Sequence, residues 1–438
     1  MKVRTTQIVD FWAGVPLCLL LSLIAKTSRC ARRVTIAITG ARKGANSGTS
    51  ANKDLTHSRN ILFLELSEMG SAIIAHSALA LTRKSFPDAN LFFMVFSKNK
   101  ESVSLLGVIP PENLVLVDAS SFTRLSITTF QALKRLRKIP IDTVIDLELF
   151  SRFTAMLSYL SGARTRIGFH NYTAEGLYRG DLLTHKVFYN PHQHMEYNFL
   201  ALVRAIGSNP SKQPLLKEDV RKFAVPLPKH TPTSEERSAL WEILHRDDPR
   251  LSGDNQILIV NPDPGDALPI RGWPMDKYIS TIRQLMALNP GLYCVVIGLK
   301  ASKPYAERII GELGKDRVID LTGKTKTLRD VVTLFTIGDI LLTNDSGPAH
   351  FAGLTDIRSI ALFGPETPAL YGALGEGKVN IFANYSCSPC LSAHNHRHTV
   401  CKDSQCLQAI DAALVVQHAQ SMLNEISQTR AAPIEVVG

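Results

Sequence analysis

The sequence lacks an apolar run long enough to cross a bilayer at its amino end. Phe11 to Ala25 is about 15 residues, short of the roughly 20 that a spanning helix requires. It also lacks the charge order of a secretory leader. Lys2 and Arg4 precede the run, but the heavier cluster Lys26, Arg29, Arg32 and Arg33 follows it, which resists translocation. The segment therefore reads as an interfacial anchor or a helix packed on the protein body, with a cleaved leader as the alternative. Zinc-finger spacings and basic stripes studded with aromatics are missing, which removes nucleic acid as the expected partner. The formal charge of +10 then points to a membrane surface or a phosphorylated substrate. The seven cysteines do not form the dense, even pattern of a small secreted domain: Cys18, Cys30 and Cys294 are isolated and the other four share one window. A reducing compartment fits that distribution. There is no short internal repeat.

What is present is globular. Hydrophobic residues are 45% and charged residues 20% of a 438-residue chain, enough for two domains with separate cores. Apolar runs at Ile61–Leu66, Leu91–Phe96, Leu114–Val117 and Thr143–Leu147 read as strands alternating with helical patterns, which implies a parallel sheet covered on both faces. From Lys212 to Arg250 the pattern lapses into Pro, Lys, Glu and Asp. A second series follows, with strands at Gln256–Val260, Tyr293–Ile297, Val318–Leu321, Ile340–Leu342 and Ile360–Leu362 and a closing helix at Leu407–Ile426. The expected organisation has residues 1–33 as a basic, apolar extension able to anchor at a membrane surface and 34–58 as a linker. A first Rossmann-like domain at 59–225, an interdomain linker at 226–250, a second such domain at 251–406 and a closing helix and tail at 407–438 follow. Ligands of such sheets bind beyond the carboxyl ends of the strands.

The stretch Thr343-Asn344-Asp345-Ser346-Gly347-Pro348-Ala349-His350 follows a strand and enters a helical pattern. Gly347 permits close backbone approach, Pro348 suits a first helical turn, and the amides there with the Ser346 hydroxyl suit a phosphate. An ordinary capped helix start is the competing explanation. Together with Ala361-Leu362-Phe363-Gly364-Pro365-Glu366-Thr367-Pro368, the stretch resembles the C-terminal signature of glycosyltransferase family 9, the ADP-heptose lipopolysaccharide heptosyltransferases. Three further segments are similar to that family in order and spacing: Ile61 to Gly70, Asn261-Pro262-Asp263-Pro264-Gly265 with Arg271-Gly272-Trp273-Pro274, and Leu321-Thr322-Gly323-Lys324-Thr325.

The resemblance implies an α/β GT-B fold, two Rossmann-like domains facing a central cleft, with acceptor in the first and nucleotide sugar in the second. It places Arg271 at the donor phosphates, where a guanidinium fork suits a diphosphate. It puts Asp320 near the ribose, Thr322, Gly323 and Lys324 beside the nucleotide, Ser346, Gly347 and His350 along the pyrophosphate, and Asp345 at the sugar. It implies ADP-heptose as donor and calls for no metal in catalysis. One position departs from the family: Ser71 stands where members carry the Asp that serves as general base. A hydroxyl cannot take the acceptor proton unaided, so Glu68, three residues earlier, is the expected replacement, with a solvated or capping acid as its alternative and His76 as a weaker candidate.

The polar run Arg164, Arg166 and His170, continuing through Glu175 to Glu196, is expected as an acceptor loop for an anionic glycolipid. Cys387, Cys390, Cys401 and Cys406, the first two at knuckle spacing, could hold a structural zinc, with disulfides or free thiols as alternatives. The resulting expectation is an inverting transferase of a heptose-like sugar onto lipopolysaccharide or another cell-surface glycan, cytoplasmic and peripheral to the inner membrane. The rivals are a nucleotide-sugar epimerase or hydrolase, and a donor-binding protein that has lost transfer.

Overall fold

The structure, a computed structural model, describes residues 10–38, 59–170, 178–265 and 268–431. The chain divides into two compact units, Met1–Val225 and Pro226–Gly438.

The first unit is built on β1 (Asn60–Leu64), β2 (Asn90–Phe96), β3 (Leu114–Val117), β4 (Thr143–Asp146), β5 (Thr165–His170) and β6 (His185–Phe188). All pair in parallel, in the order β3-β2-β1-β4-β5-β6. Every residue of β1 and β4 is buried, as continuous apolar strands covered on both faces must be. The strands β5 and β6 lie in the stretch expected as an acceptor loop. Their polar residues hide the strand pattern, yet Ile167, Phe169 and Val187 are buried and the backbone continues the ladder from β4.

The amino-terminal segment is one helix, Gly14–Ile38, longer than its apolar run. It buries Gly14, Cys18, Ser22 and Ala25, which recur on one face, with Gly14 and Cys18 against the helix Arg152–Leu160 and Ser22 against the Gly180–Asp181 turn. The expected linker therefore starts late, since residues 34–38 are still helical; residues 39–58 lie outside the described residues.

A buried ion pair ties this unit together. Arg179 donates to the Asp146 carboxylate and to the Phe169 carbonyl (3.1 Å), joining the end of β4 to β5. Burial pushes the Asp146 carboxyl up to about 6, against the pull of Arg179.

The second unit repeats the topology with β7 (Gln256–Asn261), β8 (Leu292–Val296), β9 (Val318–Asp320), β10 (Ile340–Asn344), β11 (Arg358–Phe363) and β12 (Lys378–Phe382). Their order is β12-β11-β10-β7-β8-β9, again all parallel. Its core joins Val260, Leu342 and Leu362 to Val415, Ala419 and Leu423 of the closing helix Ala412–Ala431. That helix starts later than its apolar pattern suggested, because Gln405–Gln408 forms a separate turn. Residues 226–250, expected as a linker, instead hold the helix Ser234–Asp247. A Thr233–Glu236 capping box starts it, and it packs on the helix Leu328–Phe335 of the same unit.

Truncating Arg179 leaves a buried carboxylate without its partner. Arg179→Ala is expected to cost roughly 3–5 kcal/mol, read as a lower urea midpoint, whereas Arg221→Ala, at an exposed pair, should change it little.

Candidate functional site

In the second unit β7 and β10 are neighbours whose connections leave in opposite directions, the switch point at which ligands of such sheets bind. The last residue of β10, Asn344, is fully buried. Its carbonyl oxygen accepts the Trp273 backbone N–H at 2.9 Å, and its amide donates to the Pro262 carbonyl at 2.9 Å. The Trp273 indole N–H donates to the Ile410 carbonyl at 3.2 Å, and its ring meets Tyr278 edge-on at 4.9 Å. One carboxamide thus fixes the loop after β7 and the turn Pro269–Arg271 against the strand end.

That turn presents Arg271 to Asp345. Arg271 Nη1 lies 3.2 Å from Asp345 Oδ2, with side chains 18% and 6% exposed. Burial raises the Asp345 carboxyl above its ordinary range, and Arg271 partly offsets this. Among the described residues Arg271 Nε is buried with no hydrogen-bond partner, so the guanidinium has an unused donor. An arginine held by one carboxylate with a donor to spare suits a diphosphate.

A second acid, not singled out from the sequence, completes the group. Glu366, in the loop after β11, is 2% exposed. Burial raises its carboxyl well above the usual range, the Asp345 charge adds to the rise, and Arg271 opposes it. Arg397 Nε lies 3.2 Å from Glu366 Oε1, and its guanidinium sits 5.1 Å over the Tyr371 ring. Two buried carboxyls beside one guanidinium offer oxygens that can hydrogen-bond sugar hydroxyls. The available sequence signal was an acid directly after Gly-Pro at the end of a buried strand.

The cysteine-rich segment braces these loops. The Cys390 and Leu391 amides both donate to the Pro365 carbonyl at 2.9 Å, the Ser388 hydroxyl donates to Gly364, and the Ser404 hydroxyl donates to Ile270. Cys387, Cys390, Cys401 and Cys406 are free thiols; burial raises the Cys406 thiol, and the three others add to the rise as charge neighbours. Among the described residues no three His, Cys, Asp or Glu side chains are grouped to hold a metal, so the zinc expectation gains no geometric support.

The remaining donor residues divide. Asp320, at the end of β9, accepts from Lys303 Nζ and from the Thr322 amide, both at 2.8 Å. Burial raises its carboxyl, but these bonds outweigh it and hold it below the ordinary value. Gly323 has φ +70° and a Cβ there would lie 3.0 Å from the Lys300 backbone, so the turn requires glycine. Lys324, expected beside the nucleotide, instead pairs with Asp247, an exposed contact that solvent weakens. The Ser346 hydroxyl donates to the Asn344 carbonyl at 3.1 Å. The helix it opens, Gly347–Phe351, is a single turn, so it has little macrodipole, and Pro348 removes one N–H. His350 is buried on that turn.

In the first unit, the loop after β1 is organised by Glu148 Oε1, which accepts the Leu66 amide at 2.9 Å and the Ser67 amide at 3.0 Å. The Ser71 hydroxyl donates to Glu68 Oε2 at 3.0 Å, so the departing position and its expected replacement are in contact. His76 is buried on the following helix. Of the acceptor candidates, Arg164 is exposed. Arg166 is a correction: on β5 its guanidinium is spent on the Leu182 carbonyl at 2.6 Å and the Ala163 carbonyl at 2.5 Å, bracing the sheet edge. His170 ends β5 half-buried, and residues 171–177 of the expected loop, Glu175 among them, lie outside the described residues.

Glycosyltransferase family 9 (heptosyltransferase) matches residues 129–400, more than half of the chain. The chain belongs to that family. A curated relative, lipopolysaccharide heptosyltransferase 2 of Salmonella typhimurium, is 30% identical over 103 residues, covering 23% of this chain and 29% of the relative. The alignment thus spans less than a third of that relative's length. Among solved structures, the E. coli ADP-heptose lipopolysaccharide heptosyltransferase II superposes with a TM-score of 0.62 at 19% identity, covering 84% of this chain and 99% of that one. The E. coli heptosyltransferase WaaC with ADP gives a TM-score of 0.58 at 16% identity, covering 83% and 99%. The shared fold is GT-B, with one parallel six-stranded sheet in each unit. For this family member the matched span includes Arg271, Asp345 and Glu366, whereas Glu68 and Ser71 precede residue 129.

Removing the Asn344 amide strands the buried Trp273 N–H and Pro262 carbonyl. Asn344→Ala is expected to cost about 2–3 kcal/mol of stability, read as a lower urea midpoint; an unchanged midpoint would show that the carboxamide does not hold these loops.

Proposed function

We propose that this glycosyltransferase family 9 member transfers a heptose-type sugar, with inversion, from an ADP-linked donor to a hydroxyl of an anionic cell-surface glycan such as lipopolysaccharide. The observation that carries the reading is the Arg271–Asp345–Glu366 group at the carboxyl ends of β10 and β11. It combines a cation suited to a diphosphate with two acids suited to sugar hydroxyls. Two structural relatives, an ADP-heptose lipopolysaccharide heptosyltransferase and a heptosyltransferase with ADP, support the choice of donor.

In this reading the acceptor oxygen attacks the anomeric carbon while the bond to the diphosphate oxygen breaks. The electron pair leaves with ADP. The developing charge falls to Arg271, whose desolvated guanidinium stabilises it more strongly than it would in water, rather than to a metal ion. Asp320 takes the ribose hydroxyls, exchanging its contact with the half-exposed Lys303. Glu68 takes the acceptor proton. The Ser71 hydroxyl, donating to one carboxylate oxygen, orients it. Arg164 is the remaining candidate for the acceptor's negative charge, since Arg166 is committed to the sheet edge.

A thermal-shift panel of ADP- and UDP-sugars tests the donor half. ADP-sugars should raise the midpoint of the wild type and leave Arg271→Ala unmoved; no stabilisation by either nucleotide class removes the donor site. For the base, Glu68→Gln should keep the ADP-dependent shift while kcat falls about 10²–10⁴-fold. A Glu68→Gln enzyme at full rate would place the base elsewhere, and wild-type binding without turnover across acceptor extracts would favour a protein that has lost transfer.

A further inference from the structure

The amino-terminal helix has two unlike faces. Toward the protein it is small: Gly14, Cys18, Ser22 and Ala25 are all buried, and the fit is close. A Cβ on Gly180 would lie 2.5 Å from Ser22 Oγ, and one on Gly14 would lie 3.1 Å from the Arg152 side chain. The docking is also polar. Asp10 pairs with Arg152 at 2.9 Å, and the Asp181 amide donates to the Ser22 hydroxyl at 2.8 Å. Away from the protein the helix is large and apolar. Trp12 is 74% exposed, Leu23 60%, Leu20 54%, and Leu19, Leu17 and Ile24 follow. At the carboxyl end of that face the Thr27 hydroxyl is satisfied within the helix, donating to the carbonyls of Leu23 and Ile24 at 3.1 and 3.0 Å, and the exposed Lys26 borders it. A contiguous apolar face of this kind marks an interaction surface, not chance exposure.

We infer that this helix is a lipid-interface anchor. It lies flat on an anionic bilayer, its small face locked to the first unit and its large face in the acyl boundary. Charge selects the occupant. Basic residues flank the apolar stretch on both sides, Lys2 and Arg4 before it and Lys26, Arg29, Arg32 and Arg33 after it. Two copies pairing through this face, in either orientation, would bring like charges together, whereas anionic headgroups attract both flanks. Trp12 sits at one end of the face, where an indole suits the headgroup level.

Geometry selects flat over spanning. Although its unbroken apolar run is short, the helical stretch Asp10–Ser28 has a mean hydropathy of 1.5 over 19 residues, so length and composition, contrary to the sequence expectation, do permit crossing. Crossing, however, would pull Cys18 and Ser22 from their seats and take the carboxylate from Arg152, whose side chain is 3% exposed. The anchor does not depend on the transfer reading, because the contacts that seat it, with Arg152, Gly180 and Asp181, are not with the proposed donor or base residues.

The test adds full-length protein to preformed sealed vesicles, either pure phosphatidylcholine or about one-third phosphatidylglycerol. The wild type should float with the anionic vesicles, with Trp fluorescence shifted to the blue, and 0.5 M added salt should reduce binding several-fold, about as screening dictates. Leu20→Glu with Leu23→Glu and Ile24→Glu should cut the bound fraction at least tenfold while circular dichroism and the ADP thermal shift stay unchanged. Leu288→Glu, at an exposed leucine of the second unit, should float as the wild type does. An N-terminal tag should remain open to protease added outside the vesicles. Failure of the wild type to float overturns the anchor, and a protected tag overturns the flat geometry. Dimerisation without flotation, abolished by the triple substitution, would assign the face to a second copy instead.

Discussion

The loops around Arg271 in the second unit depend on one buried carboxamide. Asn344 ends the strand at the switch point and makes two bonds that no apolar residue could replace, one from the Trp273 amide and one to the Pro262 carbonyl. Both partners belong to irregular loops, whose backbone groups need specific satisfaction once buried. The Arg271 turn is held from one side by Trp273 and from the other by Ser404, and so meets Asp345 before any ligand arrives. Preorganisation of this kind is what makes a charge effective against a developing phosphate leaving group. The cysteine-rich segment belongs to the same construction, because it holds the loop that carries Glu366 and supplies Arg397 to it.

The first unit has a looser chemical centre. Its loop after β1 hangs on Glu148, and the catalytic question reduces to a single contact, Ser71 to Glu68. A serine in place of an acid removes a base but leaves a donor. That donor meets the Glu68 carboxylate one turn away at 3.0 Å, the contact on which the proposed relocation of the base rests. The strongest electrostatic feature of this unit, Arg179 with Asp146, is structural: it ties strand ends together.

Much of this was legible in the sequence where physics is local. Runs such as Ile61–Leu64 and Ile340–Leu342 are apolar throughout and buried throughout, as strands covered on both sides are, so the two parallel sheets could be read directly. The strands β5, β6 and β12, at or next to the sheet edges, could not, because Arg166, Lys186 and Lys378 break the apolar pattern and find acceptors or carboxylates outside their own strands. The same blindness made Arg166 look like a ligand. The helix Ser234–Asp247 was hidden by its charge; of its residues only Leu240 and Leu244 are buried, and its capping box was the overlooked signal. Arg271 and Asp345 could be named from a family pattern, but their pairing, the Asn344 clamp and the burial of Glu366 arise from contacts across more than 70 residues in the first two cases.

The central claim is that Asp345 holds Arg271 ready for a diphosphate. A double-mutant cycle on ADP affinity, with Arg271→Ala, Asp345→Asn and the pair, tests it most directly, since ADP lacks the sugar that Asp345 would otherwise contact. The account predicts that Asp345→Asn weakens ADP several-fold in the wild type and has no effect once Arg271 is alanine. Equal effects of Asp345→Asn in both backgrounds would contradict it.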